Sequence, residues 1–209
     1  IMVKEAIDTS NGKLGVMTEN SDNAFMPATI NPFYMVCYSY NGGETKISAD
    51  LSSYMNGYQD PRREIYGVTS TFDESENITN GFHGLRVGNE YPIKTGQCYS
   101  NVKVEVSSPI MWMNAAEVMF LRAEAALRGW DTEKTPKAYY EAGIRLSFEQ
   151  LGAKNVEDYL VSTNTPESYK DPLGTYSFSG TPSTISVQWK DGNFEESLER
   201  IITQKWIAN

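Results

Sequence analysis

The sequence predicts a mainly α-helical protein whose first half is rich in loops and holds short strands. Residues 111–151 encode two helices joined by a short turn, and residues 8 to about 108 are rich in Gly, Asn, Ser and Thr. We therefore predict a single, partial domain over residues 1–209. Within it, residues 1–108 form a loop and short-strand region, and residues 109–209 form a helical scaffold.

The boundaries of the two helices follow from local signals. Asn114 and Glu117 are spaced as in a capping box, with Asn in place of Ser or Thr, and no Gly or Pro follows until Gly129. Thr135 before Pro136 repeats the start signal, and Gly152 supplies the second stop. These signals predict an antiparallel helical hairpin over residues 114–128 and 136–151.

The charges on the two helices predict different environments. Arg122 lies among apolar residues on the helical wheel of the first helix, so we predict that its guanidinium is mostly buried and paired with a carboxylate. The second helix carries an alternating-sign stripe that is typical of a solvated face. That stripe consists of Lys137, Glu141, Arg145 and Glu149.

Shorter patterns predict the remaining elements. The apolar runs at residues 34–38 and 102–106 alternate or cluster as strands do, whereas residues 47–57 favour a helix closed by Asn56-Gly57. A partial helix at residues 2–7, a brief helix at 156–162 and a final helix from about Phe194 are also predicted. The four tryptophans lie in contexts typical of core packing.

Composition excludes several classes of function. The chain has 209 residues, 40% of them hydrophobic and 22% charged, as in an ordinary globular protein. It has no run of about 18 apolar residues that would predict a membrane span. Its net charge of −9 repels phosphate backbones, which disfavours nucleic acid as a partner.

Few residues suit catalysis or metal binding. Cys37 and Cys98 match no zinc or redox spacing, so two separate buried thiols and a disulfide both stay open. His83 is the sole histidine, which excludes a multi-histidine metal site. The carboxylates at 73–76 and 195–196 lie in polar runs, where adjacent acids are usually solvated. We predict that the chain is not an enzyme and needs no cofactor, although calcium held by loop oxygens stays open.

Several segments resemble one known family. AEVMFLRAEAALRG, YYEAGIRLSFEQLG and ITQKWIA closely resemble the SusD/RagB-like family of Gram-negative bacteria, nearest to its starch-binding-associated, SusD-like group. YMNGYQDPR looks like the family segment that ends in a DPR motif, and GFHGLRVGNEYP looks like the glycine loop that follows. In the family, more chain normally follows the QKWIA helix, so the resemblance indicates the C-terminal portion of a longer protein.

The resemblance also implies a fold and a function. It implies a scaffold of tetratricopeptide-like helical hairpins with a ligand face built by loops. Family members are lipid-anchored outer-membrane proteins at the cell surface that deliver oligosaccharides to a SusC-like, TonB-dependent transporter, without catalysis. Some members take peptides, so the alternative is a peptide- or protein-binding module. The anchoring N-terminal cysteine is absent from these residues.

The loop-rich half supplies groups that suit carbohydrate. Aromatic faces stack on sugar rings, and amides, carboxylates and guanidinium groups bind hydroxyls. We predict ligand contacts at Tyr58, Tyr66, Asp60, Arg62 and Tyr91. For the Asp-Pro-Arg turn the alternative is a local structural lock, and for each tyrosine it is simple surface packing.

Overall fold

The computed structural model describes residues 2–40, 45–70, 81–89, 98–130 and 133–209. Two compact units are present. The helical unit comprises Ile1–Met26, Met111–Ser162 and Val187–Asn209, and the loop unit comprises Pro27–Ile110 and Thr163–Ser186. The junction at residues 110 and 111 lies near the predicted boundary at 108 and 109. Residues 1–26, however, group with the helical unit, and residues 163–186 group with the loop unit.

The described chain is mostly helical. In chain order, its helices and strands are α1 (Met2–Ile7), β1 (Ala24–Met26), α2 (Pro32–Tyr34), α3 (Ala49–Gly57), α4 (Arg63–Tyr66), β2 (Ile110–Met113), α5 (Ala115–Leu127), α6 (Pro136–Leu151), α7 (Val156–Leu160) and α8 (Phe194–Ala208). β1 and β2 pair in a two-stranded sheet. No helix among the described residues is both long and apolar enough to cross a membrane.

The helical hairpin is confirmed, with Asn114 and Thr135 as the N-caps of its helices. The Asn114 side chain accepts a hydrogen bond from the Glu117 amide at 2.7 Å, and Thr135 accepts one from the Ala138 amide at 3.2 Å. Gly152 ends α6 in the left-handed conformation, at a φ of 68°. The side chains at each helix start satisfy amides that have no partner inside the helix. The hairpin is therefore specified locally.

The core of the helical unit lies between α5, α6 and α8. Phe120, Tyr140 and Ile144 are fully buried, and the Phe120 and Tyr140 rings meet edge to face with centroids 6.3 Å apart. A Cβ atom at Gly143 would lie only 2.8 Å from the Phe120 ring. The glycine therefore lets α6 approach the ring more closely than any other residue would allow.

The prediction for Arg122 is confirmed. Its side chain is 11% exposed and pairs with Glu133. The guanidinium also donates to the Tyr139 hydroxyl at 2.6 Å and lies over that ring, 4.4 Å from the centroid. The α6 stripe forms its i,i+4 pairs at the surface, between Glu141 and both Lys137 and Arg145.

Two strand predictions differ from the structure. Residues 34–38 are helical, because Asn31 caps α2 by accepting from the Phe33 amide at 2.8 Å, and the helix continues as a π-helical segment, Met35–Tyr40. Short apolar runs do not distinguish strand from helix by periodicity alone. In the second run, only Val102 takes part in a β-bridge, with Gly67. The helices predicted at residues 2–7, 47–57, 156–162 and from Phe194 are confirmed as α1, α3, α7 and α8.

Candidate binding groove

The Asp-Pro-Arg turn of the loop unit is held by a buried ion pair. The side chains of Asp60 and Arg62 are 0% exposed, and the guanidinium binds both carboxylate oxygens, with Nη2 to Oδ2 at 2.6 Å and Nε to Oδ1 at 3.0 Å. The Arg62 amide also donates to Oδ1 at 2.9 Å. The Asp60 amide donates to the Met55 carbonyl at 2.8 Å, which ties the turn to α3. This geometry favours the structural alternative for both residues.

The three predicted tyrosines differ in their surroundings. Tyr58 is buried, and its hydroxyl donates to the Ile185 carbonyl at 3.0 Å. Tyr66 is half-buried and ends α4. Tyr91 lies outside the described residues. Ligand contact by these side chains stays a prediction, but the burial of Tyr58, Asp60 and Arg62 leaves them almost no surface on which a ligand could lie.

A conservative substitution separates the two roles of Tyr58. Tyr58→Phe removes the hydroxyl and leaves the Ile185 carbonyl without that donor, while it keeps the ring. We expect the free energy of unfolding to fall by about 0.5–1.5 kcal/mol, with no change in affinity for any glycan that the protein binds. Urea denaturation and titration calorimetry measure the two quantities. Weaker glycan binding with an unchanged free energy of unfolding would instead indicate that Tyr58 contacts the ligand.

A groove elsewhere in the loop unit presents the chemistry that carbohydrate needs. It has a volume of about 210 Å³, and its lining includes Asp50 in the first turn of α3 and the exposed Arg86. Phe178, a residue that is 52% exposed, also lines it. The Arg86 guanidinium lies over the Phe178 ring, 5.8 Å from the centroid. The remaining lining residues are Ala49, Ser53, Tyr169, Gly180 and Pro182.

The other described cavities fit this chemistry less well. One is lined by Met35, Val36, Ser39 and Tyr40, so its side chains offer two hydroxyls and no charge. Another, in the helical unit, has three cations in its lining, but Arg122 and Arg145 already pair with carboxylates. A third cavity has Glu167 and Lys170 in its lining, but its phenol ring, that of Tyr169, is buried. Among these cavities, only the Phe178 groove combines an exposed ring with one charged side chain of each sign.

Sequence reasoning missed this groove. Arg86 lies in the glycine loop that the resemblance singled out, but Phe178 lies in the Pro-, Gly- and Ser-rich segment between α7 and α8, where no ligand contact was predicted. A usable signal existed: Phe178 lies between Ser177 and Ser179, in a segment without the apolar periodicity that would predict burial. An aromatic residue in such a polar turn region is a candidate for an exposed platform.

The tryptophans also depart from the sequence prediction. Trp112, Trp130 and Trp206 are exposed, and Trp189 is half-buried against Tyr140. The prediction of core packing was wrong for the first three. Trp112 lies on the short strand β2 and Trp130 follows the end of α5, so neither belongs to a buried helix face.

The structure describes the histidine, the cysteines and the acidic pair at 195–196 that were considered for catalysis or metal binding. His83 is half-buried, and burial lowers the pKa of its imidazole, which is therefore neutral at pH 7. Cys37 and Cys98 are buried and do not form a disulfide. The described ranges hold no group of three potential metal ligands among His, Cys, Asp and Glu. Glu195 and Glu196 are exposed at the start of α8, and residues 73–76 lie outside the described ranges.

Comparison with known proteins establishes the family. The sequence model of the SusD-like family, described as Susd and RagB outer membrane lipoprotein, matches residues 2–209. The chain belongs to the SusD-like family. The predicted resemblance is thus confirmed, together with the mainly helical fold class. No match was found among curated proteins.

Solved structures agree with the family assignment. A SusD homolog from Bacteroides ovatus is 45% identical with a TM-score of 0.85, and one from Bacteroides thetaiotaomicron is 43% identical with a TM-score of 0.84; each comparison covers 93% of the chain. A chitin-binding SusD homolog from Flavobacterium johnsoniae is 37% identical over 99% of the chain, with a TM-score of 0.79. The SusD-like chain spans 42%, 41% and 44% of those three proteins, respectively.

Proposed function

We propose that this SusD-like chain belongs to a non-catalytic, cell-surface glycan-binding protein that uses the Phe178 groove to hold a sugar ring. The observation that carries the proposal is the half-exposed Phe178 ring beside Arg86 and Asp50 in one concave site. Membership of the SusD-like family and the chitin-binding relative support glycan as the ligand class.

The chemistry of the groove suits a neutral sugar. The Phe178 ring offers an apolar face to the C–H groups of a pyranose. Arg86 supplies only hydrogen-bond donors and Asp50 only acceptors, so together they satisfy hydroxyl groups, which both donate and accept. Their opposite charges cancel in the lining. A groove of about 210 Å³ is smaller than the roughly 300–1,000 Å³ typical of drug-sized ligands. It therefore fits one ring of a longer chain.

The cellular role extends the proposal beyond the groove. The family description supports an outer-membrane lipoprotein. We propose that the protein is anchored by a lipid and faces outward. There it would deliver oligosaccharide to a SusC-like, TonB-dependent transporter. In the loop unit, apolar surface is exposed by Phe33 on α2 and by Val36 and Tyr40 on the π-helical segment that follows. Such surface is suited to contact with a protein partner, which supports partnership without identifying the transporter.

Replacing Phe178 tests the glycan site. Covering one ring face removes on the order of 60 Å² of apolar surface from water, which contributes about 1.5 kcal/mol. Phe178→Ala should therefore raise the Kd for a bound glycan about tenfold. Titration calorimetry with chitohexaose is the first measurement, followed by other neutral hexasaccharides and by a peptide library.

Phe33→Ala is the matched control, because Phe33 is 60% exposed in the same unit but does not line the groove. Its affinity for the glycan should equal that of the wild type. Equal affinity for Phe178→Ala and the wild type would contradict the proposed site. Peptide binding without glycan binding would favour the alternative function. Release of reducing sugar during incubation would contradict a non-catalytic role.

A further inference from the structure

One buried carboxylate organises the segment that carries Phe178. Asp171 is 6% exposed, and its Oδ2 atom accepts hydrogen bonds from the amides of Thr175 and Tyr176, both at 3.0 Å. Its Oδ1 atom accepts from the hydroxyl of Tyr99, a buried residue, at 2.7 Å. A loop segment distant in sequence and two amides of the turn therefore converge on the same carboxylate.

The backbone of Asp171 also forms hydrogen bonds within the turn. Its amide donates to the Ser177 hydroxyl at 3.0 Å, and its carbonyl accepts from the Gly174 amide at 2.8 Å. Gly174 has a φ of 77°, a conformation that glycine adopts without strain. Residues 171–177 thus form a turn that hydrogen bonds to Asp171, its first residue, hold together.

This turn sets the position of the groove residues. The Tyr176 carbonyl accepts from Arg86 Nη1 at 3.3 Å, which joins the guanidinium to the turn. The Phe178 amide, one residue beyond the turn, donates to the Tyr169 carbonyl at 2.9 Å. A Cβ atom at Gly180 would lie 2.6 Å from the Phe178 ring, so the chain after the turn also packs against that ring.

We propose that Asp171 is a positioning residue for ligand binding: it holds the 171–177 turn so that Phe178 and Arg86 form a ready-made site. This inference rests on the proposed function. Asp171 is too deeply buried to touch a ligand lying in the groove, so it acts through the turn. Because the turn is already formed, the binding free energy does not include the entropic cost of ordering Phe178 and Arg86.

The proposal requires a carboxylate and not merely a polar side chain. Both oxygens of Asp171 accept hydrogen bonds, and together they serve three donors. An asparagine has one acceptor oxygen and a donating NH2 group. With its NH2 group towards the turn amides, the asparagine opposes two donors; with that group towards Tyr99, it forces the hydroxyl to accept instead of donate. In either orientation Asp171→Asn replaces the charge-assisted hydrogen bonds of the carboxylate by weaker neutral ones. The substitution therefore loosens the turn with almost no change in size.

A double-mutant cycle of Asp171→Asn and Phe178→Ala, titrated with chitohexaose, tests the proposal. We expect each single variant to raise the Kd about tenfold. The double variant should be only slightly weaker than either single variant, because Phe178 contributes little once the turn is loose. In hydrogen exchange, the Thr175 and Tyr176 amides of Asp171→Asn should lose protection while α3 keeps its protection.

The outcomes distinguish the positioning role from the proposed function. Weaker binding in Phe178→Ala with wild-type affinity in Asp171→Asn would overturn the role of Asp171 and leave the glycan site standing. Fully additive effects would also overturn it, since a merely structural residue would not couple to Phe178. Wild-type affinity in both variants would reject the groove itself. If Asp171→Asn does not fold, Tyr99→Phe removes one donor to the carboxylate, and its coupling to Phe178→Ala decides in the same way.

Discussion

Asp60→Ala is expected to lower the free energy of unfolding by about 3–5 kcal/mol, because it leaves the guanidinium of Arg62 buried without its carboxylate. Both side chains are fully buried, and the pair is bidentate. The same change removes the acceptor of the Arg62 amide. Urea denaturation followed by tyrosine and tryptophan fluorescence measures the loss, with the transition of each unit fitted separately.

The control for this prediction is a surface ion pair. Glu124 and Arg128 on α5 form an i,i+4 pair whose side chains are about one-third exposed, at 32% and 34%. Glu124→Ala should cost less than about 1 kcal/mol. If Asp60→Ala proved equally mild, the turn would be solvated, and Asp60 and Arg62 would again be candidates for ligand contact.

Phe120→Ala is expected to lower the free energy of unfolding of the helical unit by about 3–5 kcal/mol through lost packing and a residual cavity. The ring is 0% exposed and fills the space above Gly143. Its neighbour Leu121, in contrast, is 46% exposed. Leu121→Ala is therefore the matched control on the same helix.

We expect the two substitutions to differ clearly in thermal denaturation. Leu121→Ala should change the free energy of unfolding by no more than about 0.5 kcal/mol, as surface substitutions usually do. Gly143→Ala provides a second check, since its new methyl group must displace the Phe120 ring; it should destabilise the protein although alanine favours helix. Similar losses for Phe120→Ala and Leu121→Ala would contradict the burial pattern of α5.

The sequence predicted those parts of the fold that local signals determine. The hairpin depends on Asn114, Thr135 and Gly152, each of which acts within a few residues of its own position. Arg122 was predicted to be buried because its place on the helical wheel leaves it no polar side. The helical segment from Pro32 was missed because its apolar run also suits a strand, although Asn31-Pro32 supplied a helix start signal.

The candidate site depends on contacts that are distant in sequence. Tyr99 and Asp171 are 72 residues apart, and Arg86 and Tyr176 are 90 apart. A pattern of neighbouring residues does not indicate which residues this far apart in the sequence are in contact. The Phe178 groove was therefore not predicted. The Asp-Pro-Arg motif shows the opposite case. Its residues are adjacent and were recognised, but their local spacing did not reveal whether the charges face solvent or each other.

The most direct test of the central claim is a crystal structure of the protein soaked with chitohexaose, or with whichever neutral oligosaccharide binds most tightly in the titrations. The account predicts a pyranose ring stacked on Phe178, with its hydroxyls within hydrogen-bond distance of Arg86 and Asp50. A sugar bound instead at another exposed ring, such as Trp112 or Trp130, with the Phe178 groove empty, would contradict it.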